Sequence, residues 1–389
     1  MSKVVVGLSG GVDSAVTAYL LKEQGYEVMG VTLRTWTSSY GTAQIDSRCC
    51  EIDAARENAE ILGIPYAVVD CSRTFRKCVT EPFVREYLRG RTPNPCVDCN
   101  RVMKWEGLLK AAEMYGAEYV ATGHYAFTEQ LPNGRYSVRQ AASAQKDQTY
   151  MLYELTQEQL ARTIMPLGPY TKDAVRAIAK GAGIPSANKA DSQEICFVTE
   201  GSYAEYIAEE SAKAGLPLPG PGDFVDEEGR VLGGHKGIIH YTVGQRKGLG
   251  IALGHPAYVK EIDTVNNRVV LAPEESLYSA EIFCDELHWM SIPGLEAGQT
   301  LPASVRIRYH HKGERALLEM TAPEMPAGNP GNEHNPGNPG NPDAGAADNA
   351  AAPGVLRIRF EKPVRAATPG QSAVFYDEKG YLIGGGKIC

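Results

Sequence analysis

The chain has 389 residues, 43% hydrophobic and 22% charged, with a formal net charge of −8. That length accommodates two or three domains with a sizeable core in each, and the acidic balance excludes a protein that coats nucleic acid non-specifically, while leaving room for a local basic face. No apolar run approaches the roughly 20 residues that span a bilayer, and Ser9-Gly10-Gly11 interrupt the N-terminal apolar stretch before a secretory core could form, so a cytoplasmic protein without membrane contact is expected.

In chain order, "KVVVGL" predicts a short buried strand and "SAVTAYLLKEQG" a helix stopped at Gly25. "EVMGVTL" predicts a second strand, "CCEIDAARENAEILGI" a second helix and "PYAVVDCS" a third strand. "FRKCVTEPFVREYLRG" and "VMKWEGLLKAAEMYGA" continue as helix, and "EYVATGHY" predicts a fourth strand. Strands alternating with amphipathic helices imply an α/β fold, a parallel sheet covered on both faces, with ligands bound beyond the strands' carboxyl ends. A hairpin at "YSVRQAAS" follows, then helices at "TYMLYELTQEQLARTI" and "KDAVRAIAKGAGI". The Pro/Gly cluster "LPLPGPGDF" marks a boundary, beyond which short β segments and turns predict a small β-rich region and then a β-barrel or sandwich. Residues 323–354, rich in Asn, Pro, Gly and Ala, offer almost nothing to bury and are expected to be a disordered loop between two strands. Deletion of 327–352 is accordingly expected to leave function intact.

The stretch "GLSGGVDSAV" opens the first helix. Gly10 and Gly11 allow a tight turn that aims N–H groups at an anion, Ser9 and Ser14 add hydroxyls, and the helix dipole points to the same place. No Lys follows the glycines, so the loop does not match the P-loop that handles a γ-phosphate, and G-x-G-x-x-G is absent too. A carboxylate in such a place, Asp13, is repulsive to phosphate unless it helps to hold Mg²⁺.

The nine cysteines (49, 50, 71, 78, 96, 99, 196, 284, 389) are odd in number and unevenly spaced, so redox, catalytic or metal-binding use is expected rather than a disulfide framework. Cys96 and Cys99 stand close together in "TPNPCVDCNRVMKW", in a C-x-x-C spacing before a helix whose dipole would lower a thiol pKa. Cys196 closes "ADSQEIC". From Gly229 to Lys260 there is no Asp or Glu, while Arg230, Lys236, Arg246, Lys247 and Lys260 are positive and His235 and His240 add donors, a reversal of sign suited to phosphate contact. In a regular strand Arg306 and Arg308 would share one face, as would Arg357 and Arg359.

"SGGVDS" resembles the signature of the PP-loop ATP pyrophosphatases, which split ATP into AMP and pyrophosphate and adenylate a carbonyl oxygen. The cysteine stretches, with "TGHY", "KDQTYML", "HYTVGQRKGLGI", "VRIRY" and "TPGQSAVFY", are similar to the bacterial tRNA-specific 2-thiouridylase family over nearly the whole chain except the Asn/Pro/Gly loop. The resemblance implies an N-terminal PP-loop domain over 1–200 with a helical extension from about 126, a small tRNA-contacting β-rich domain over 201–275 and a C-terminal β-barrel over 276–389. It implies ATP with Mg²⁺ at Gly7, Leu8, Ser9, Gly10, Gly11, Val12, Asp13 and Ser14, with the Leu33 backbone and Gly123 completing the site. It implies that a tRNA wobble uridine is thiolated at C2, with Cys196 carrying a persulfide from a donor protein (a cysteine desulfurase or relay) and Cys99 as the nucleophile that frees the sulfur, leaving a Cys99–Cys196 disulfide to be reduced. For tRNA contact it implies Asn94, Pro95, Cys96, His124, Lys146, Asp147, Gln148, Arg308, Tyr309 and Gln371. An iron–sulfur cluster on Cys96, Cys99 and Cys196 is the alternative for the same reaction. An amide-forming PP-loop ligase, or a nucleotide-binding regulator without turnover, are the readings that need no paired cysteines.

Overall fold

The computed structural model describes residues 1–35, 52–189, 195–198, 201–321 and 354–389. Cys49, Cys50, residues 190–194 and, but for Gly354, the stretch read as a disordered loop lie outside the described residues.

Three bodies of structure follow one another. In the first, β1 (Lys3–Gly7), β2 (Glu27–Arg34), β3 (Tyr66–Asp70), β4 (Tyr119–Ala121) and a two-residue β7 (Thr163–Ile164) form a parallel sheet in the order β3-β2-β1-β4-β7. Between β4 and β7 the hairpin β5 (Ala126–Gln130) and β6 (Tyr136–Gln140) stands apart as its own antiparallel pair. The strand pleat explains the burial of both faces: Val5 joins one hydrophobic cluster with Leu33, Cys99 and Leu108, whereas Val4 and Val6 join another with Val16, Leu21 and Val175. Helices α1 (Val12–Glu23) and α2 (Ile52–Leu62) pack on the Val4/Val6 face.

The second body is a four-stranded sheet of β8 (Gly222–Val225), β9 (Val231–His235), β10 (Tyr258–Asp263) and β11 (Arg268–Ala272), around Phe224, Tyr241, Val259 and Leu271. The third is a closed barrel of β12 (Tyr278–Trp289), β13 (Thr300–Arg306), β14 (Glu314–Met320), β15 (Leu356–Arg365), β16 (Ser372–Tyr376) and β17 (Leu382–Ile388), in the order β12-β15-β14-β13-β16-β17. Closure leaves no edge strand to be protected.

Three expectations change. "TYMLYELTQEQLARTI" is not one helical run: a 3₁₀ turn (Thr149–Leu152) is followed by a helix restarted at Gln157–Ala161, because Thr156 and Gln159 form a reciprocal capping box, and β7 then joins the sheet edge. The helix read from Val102 begins earlier, at Pro95–Asp98, and passes through a π-helical segment, Cys99–Trp105, before Glu106–Tyr115. Of "GRVLGGHKGIIHYTVGQRKGLGI" only β9 is strand; the rest is a short 3₁₀ helix (Ile238–His240) and turns whose glycines, Gly237, Gly244, Gly248 and Gly250, have positive φ.

Candidate active site

The phosphate loop forms as its residue types require. Gly10 takes φ 79°, and Gly11 caps α1 without any side-chain bond, so the first N–H groups of a twelve-residue helix face an anion site. The loop is braced by its serines: Ser14 Oγ donates to Gly11 O at 3.0 Å and accepts from Ser9 N at 3.2 Å. Leu8 anchors it to β2, its N–H donating to Val31 O at 2.8 Å while its carbonyl accepts from Thr32 Oγ1 at 2.6 Å. Leu33 is buried at the end of β2. Gly123 presses against the loop, since a Cβ there would lie 2.8 Å from Asp13 C and Ser14 N.

The lysine missing from the loop comes from 159 positions away. Lys172 Nζ sits 2.9 and 2.8 Å from the two carboxylate oxygens of Asp13, and Tyr125 OH donates to the same carboxylate at 2.7 Å. Lys172 is 9% exposed at the first position of the helix Lys172–Gly181, after the Thr171 cap. Loop spacing carries no trace of this residue. The available signal is a cation in a helix's first turn, where the macrodipole disfavours it.

Tyr125 also ties the loop to "KDQ". Its N–H donates to Gln148 Oε1 at 3.0 Å and its carbonyl accepts from Gln148 N at 3.2 Å. Next to it, His124 pairs Nδ1 with Thr122 Oγ1 at 2.9 Å and lies over Trp105 with ring centroids 5.5 Å apart. Burial pushes the His124 imidazole down to about 3, and the Lys104 ammonium adds to it, so the ring is neutral at physiological pH.

Asn94 caps the short helix Pro95–Asp98 by accepting from Cys96 N at 3.2 Å. Cys96 is half-buried within electrostatic reach of Tyr309, and Cys99 is buried. Burial pushes the Asp98 carboxyl up to about 6, against the pull of the Lys387 ammonium. Cys196 is half-buried in the hydrophobic cluster that holds Cys99. Phe197 fixes it there, with ring centroids 5.7 Å from Phe75 and 5.2 Å from both Phe83 and Tyr206. The sequence does not single out Phe197, because a Phe beside a Cys carries no spacing signal. Burial raises the thiols of Cys71, Cys78, Cys284 and Cys389, keeping them protonated.

The residue sets read as basic divide. Asp147 and Arg306 are 1% and 14% exposed and pair at 2.7 Å, while Thr149 and the Ala141 N–H fill other acceptor sites of the carboxylate. Asp147, read as an RNA contact, has its carboxylate engaged as an anchor between the first body and the barrel. β13 ends at Arg306, so Arg308 falls beyond the strand on an exposed turn beside half-buried Tyr309, and the two arginines do not share a face. Arg357 and Arg359 are matched by Glu281 and Glu319 across the barrel strands. Arg230 is held by Asp226 and Glu228 and Lys260 by Glu227, acids just outside the acid-free window. Lys236, Arg246 and Lys247 form no ion pair among the described residues. Lys146 is half-buried at the turn before Asp147. Gln371 turns its amide inward, donating to Thr92 O at 2.8 Å.

Whether these residues fit the implied cofactors can be judged from their donors. An uncapped helix start, two loop hydroxyls and a buried ammonium suit a polyphosphate. Asp13 has about four lone-pair sites and accepts three bonds, which leaves an acceptor for the water shell of Mg²⁺. Among the described residues no three His, Cys, Asp or Glu side chains are arranged to hold a metal ion. Among the described residues no helix is long and apolar enough to cross a membrane.

The comparisons agree over the full length. Residues 2–200 match the family model described as "tRNA methyl transferase HUP domain", 215–273 its PRC-barrel domain, and 341–388 the "Aminomethyltransferase beta-barrel domain". The chain is 45% identical to the tRNA-specific 2-thiouridylase MnmA of Lachnoclostridium phytofermentans, covering 100% of this chain and 99% of that one. It is 43% identical to that of Clostridium perfringens (99% and 98% covered) and 45% to that of Acetivibrio thermocellus (99% of each). With its glycine-turned phosphate loop and with Cys99 and Cys196 in one hydrophobic cluster, the chain belongs to the tRNA-specific 2-thiouridylase family.

Proposed function

We propose that this chain is an ATP-dependent tRNA sulfurtransferase that replaces the C2 oxygen of a wobble uridine with sulfur. The observation that carries the reading is the full-length likeness to curated 2-thiouridylases, the phosphate loop and both cysteine segments included. The three-domain division at 1–200, 201–275 and 276–389 belongs to the same reading.

ATP, when bound at Gly7–Ser14 with Leu33 and Gly123 alongside, supplies the adenylyl group that makes the C2 oxygen a leaving group. The residues of the chain then have separable tasks. The α1 N-terminus, Ser9, Ser14 and Lys172 hold negative charge, and Asp13 meets the Mg²⁺ that accompanies the nucleotide. Asn94, Pro95 and Cys96 form the turn that faces the target base, with neutral His124 nearby as a hydrogen-bonding group rather than a cation. Lys146, Gln148, Arg308, Tyr309 and Gln371 line the RNA side, and Asp147 contributes through Arg306.

Sulfur arrives as a persulfide on Cys196, loaded by a cysteine-desulfurase-type donor or relay protein. The outer persulfide sulfur bonds to C2 as the C2–O bond breaks and AMP departs. The Cys99 thiolate then attacks the Cys196 sulfur, which releases 2-thiouridine and leaves a Cys99–Cys196 disulfide for two external thiol equivalents to reduce. An odd cysteine count, a reductant-dependent cycle and a tRNA substrate all accord with work in the cytoplasm.

The test is single-turnover thiolation of unmodified tRNA by anaerobically purified protein with ATP and a persulfide donor, with iron content measured in parallel. Cys99→Ala and Cys196→Ala are expected to lose about 10³-fold or more, and Cys96→Ala much less, in iron-free protein. Activity that tracks iron and requires Cys96 equally would overturn the two-cysteine chemistry.

A further inference from the structure

The Gln371 amide points at the active-site loop, and that contact belongs to a larger arrangement. Thr92 has both of its main-chain groups satisfied by one barrel turn: its N–H donates to Pro369 O at 2.8 Å and its carbonyl accepts from Gln371 Nε2 at 2.8 Å. The preceding residue, Arg91, donates from Nη2 to Ile388 O at 3.2 Å. Turn and last strand are one unit, because Gly370 N donates to Ile388 O at 2.9 Å and Ile388 N to Gln371 O at 2.8 Å. The approach is backbone to backbone. Gly370 takes φ 88°, and a Cβ there would lie 3.0 Å from both Arg91 Cβ and Thr92 N. At the far end of the segment, Lys387 Nζ on β17 lies 3.9 Å from Asp98 Oδ1, the residue before Cys99.

We infer that the Thr368–Gln371 turn of the barrel sets the position of the Thr92–Cys99 segment, with Gln371 as a positioning residue that acts on Cys99 through the Thr92 carbonyl. The connection between them is stiff. Pro93 and Pro95 have φ fixed by their rings, and Asn94 between them is held by its own cap bond to Cys96 N. A shift at Thr92 is therefore passed on to the start of the Cys99 helix rather than absorbed. The barrel is then more than an RNA platform: RNA that engages Gln371 competes for, or reinforces, the bond that holds the loop. This rests on the thiolation reading for its functional consequence, though not for the clamp itself.

The experiment uses the full chain. Gln371→Glu is isosteric and replaces the donor by a carboxylate that repels the Thr92 carbonyl, and Gln371→Lys restores a donor. Three quantities are read: the affinity for tRNA, the single-turnover rate at saturating tRNA and ATP, and the iodoacetamide labelling rate of Cys99 followed by peptide mass spectrometry without RNA. For Gln371→Glu, labelling of Cys99 is expected to rise about 10-fold and the saturated rate to fall roughly 10- to 100-fold. Gln371→Lys is expected to recover part of both, and tRNA affinity to change less than about 3-fold. A plain RNA contact gives the opposite split, weaker tRNA binding with the saturated rate and Cys99 labelling unchanged, and that result sinks the inference. Hydrogen exchange on the wild-type chain tests it without any variant. The Thr92 amide should open together with β17, and exchange more than about 10-fold faster than β17 would also overturn the clamp. A Cys99→Ala protein that still thiolates at the wild-type rate would instead refute the thiolation chemistry, leaving the labelling of the wild-type and Gln371 proteins and the exchange results to decide the clamp.

Discussion

Lys172 Nζ and the Asp13 carboxylate form a two-pronged ion pair at 2.8 and 2.9 Å, with the lysine 9% and the aspartate 30% exposed. A phosphate loop that lacks its own lysine thus borrows one from a distant helix, and Asp13 keeps that ammonium beside the helix start where anionic oxygens would gather. Lys172→Met should lower tRNA-dependent AMP formation by about 10²–10³-fold, the range seen when one preorganised donor to a transition state is removed. Lys172→Arg should recover part of it. Single-turnover AMP release at saturating ATP checks this, and a near-wild-type rate for Lys172→Met would exclude Lys172 from charge stabilisation.

The Asp147–Arg306 pair joins the first body to the barrel in a nearly dry site, where Arg306 also lies 4.9 Å from the centroid of the Tyr376 ring. Removing one partner of a buried pair leaves the other charge uncompensated, at a cost of about 3–5 kcal/mol. Arg306→Leu should therefore lower the first urea-unfolding midpoint markedly. Adding Asp147→Asn to it should recover part of that stability.

His124 is held neutral in the folded chain, its pKa lowered to about 3 by burial, with Lys104 contributing, against an ordinary value of 6.5. The unfolded chain binds the proton more readily between these two values, so stability from this group is complete above about pH 6.5 and declines as pH falls toward 3. His124→Gln removes that dependence. The melting temperature of wild type should drop more than the variant's between about pH 7.5 and 5, and equal drops would place the acid sensitivity elsewhere.

The exposed cations of the central domain are not equivalent. Lys236, Arg246 and Lys247 have no ion-pair partner among the described residues, whereas Arg230 and Lys260 are engaged by Asp226 and Glu227. Neutralising the first three together should weaken tRNA binding and flatten its salt dependence by about 0.7–0.9 in log–log slope for each RNA phosphate that they neutralise in the wild-type complex. Arg230→Ala with Lys260→Ala should change the slope far less. Filter binding across a salt series distinguishes the two sets.

Much of the site is legible in the sequence because its chemistry is local. A glycine turn between strand and helix, a cap before Cys96 and a CxxC spacing all depend on residues within a few positions of one another, so "LSGGVDS" and "TPNPCVDC" announce themselves. The π-helical segment from Cys99 to Trp105 does not, since hydrophobic spacing cannot separate an α from a π turn over seven residues. The arginines mislead for a related reason. Alternation along a strand says which residues share a face, but not that Glu281 and Glu319 stand on the neighbouring strands opposite Arg357 and Arg359.

By itself, then, the sequence determined the α/β order of the first 125 or so residues, the all-β character beyond Pro221 and the glycine turn that opens the first helix. These follow from periodicity and short-range spacing. Only the tertiary structure decided that Lys172 completes the phosphate loop, that Asp147 is an interdomain anchor and that Gln371 reaches back to Thr92, pairs separated by 159, 159 and 279 positions. The physical reason is that an ion pair or hydrogen bond acts over about 3 Å, and only chain topology brings such distant groups within that distance.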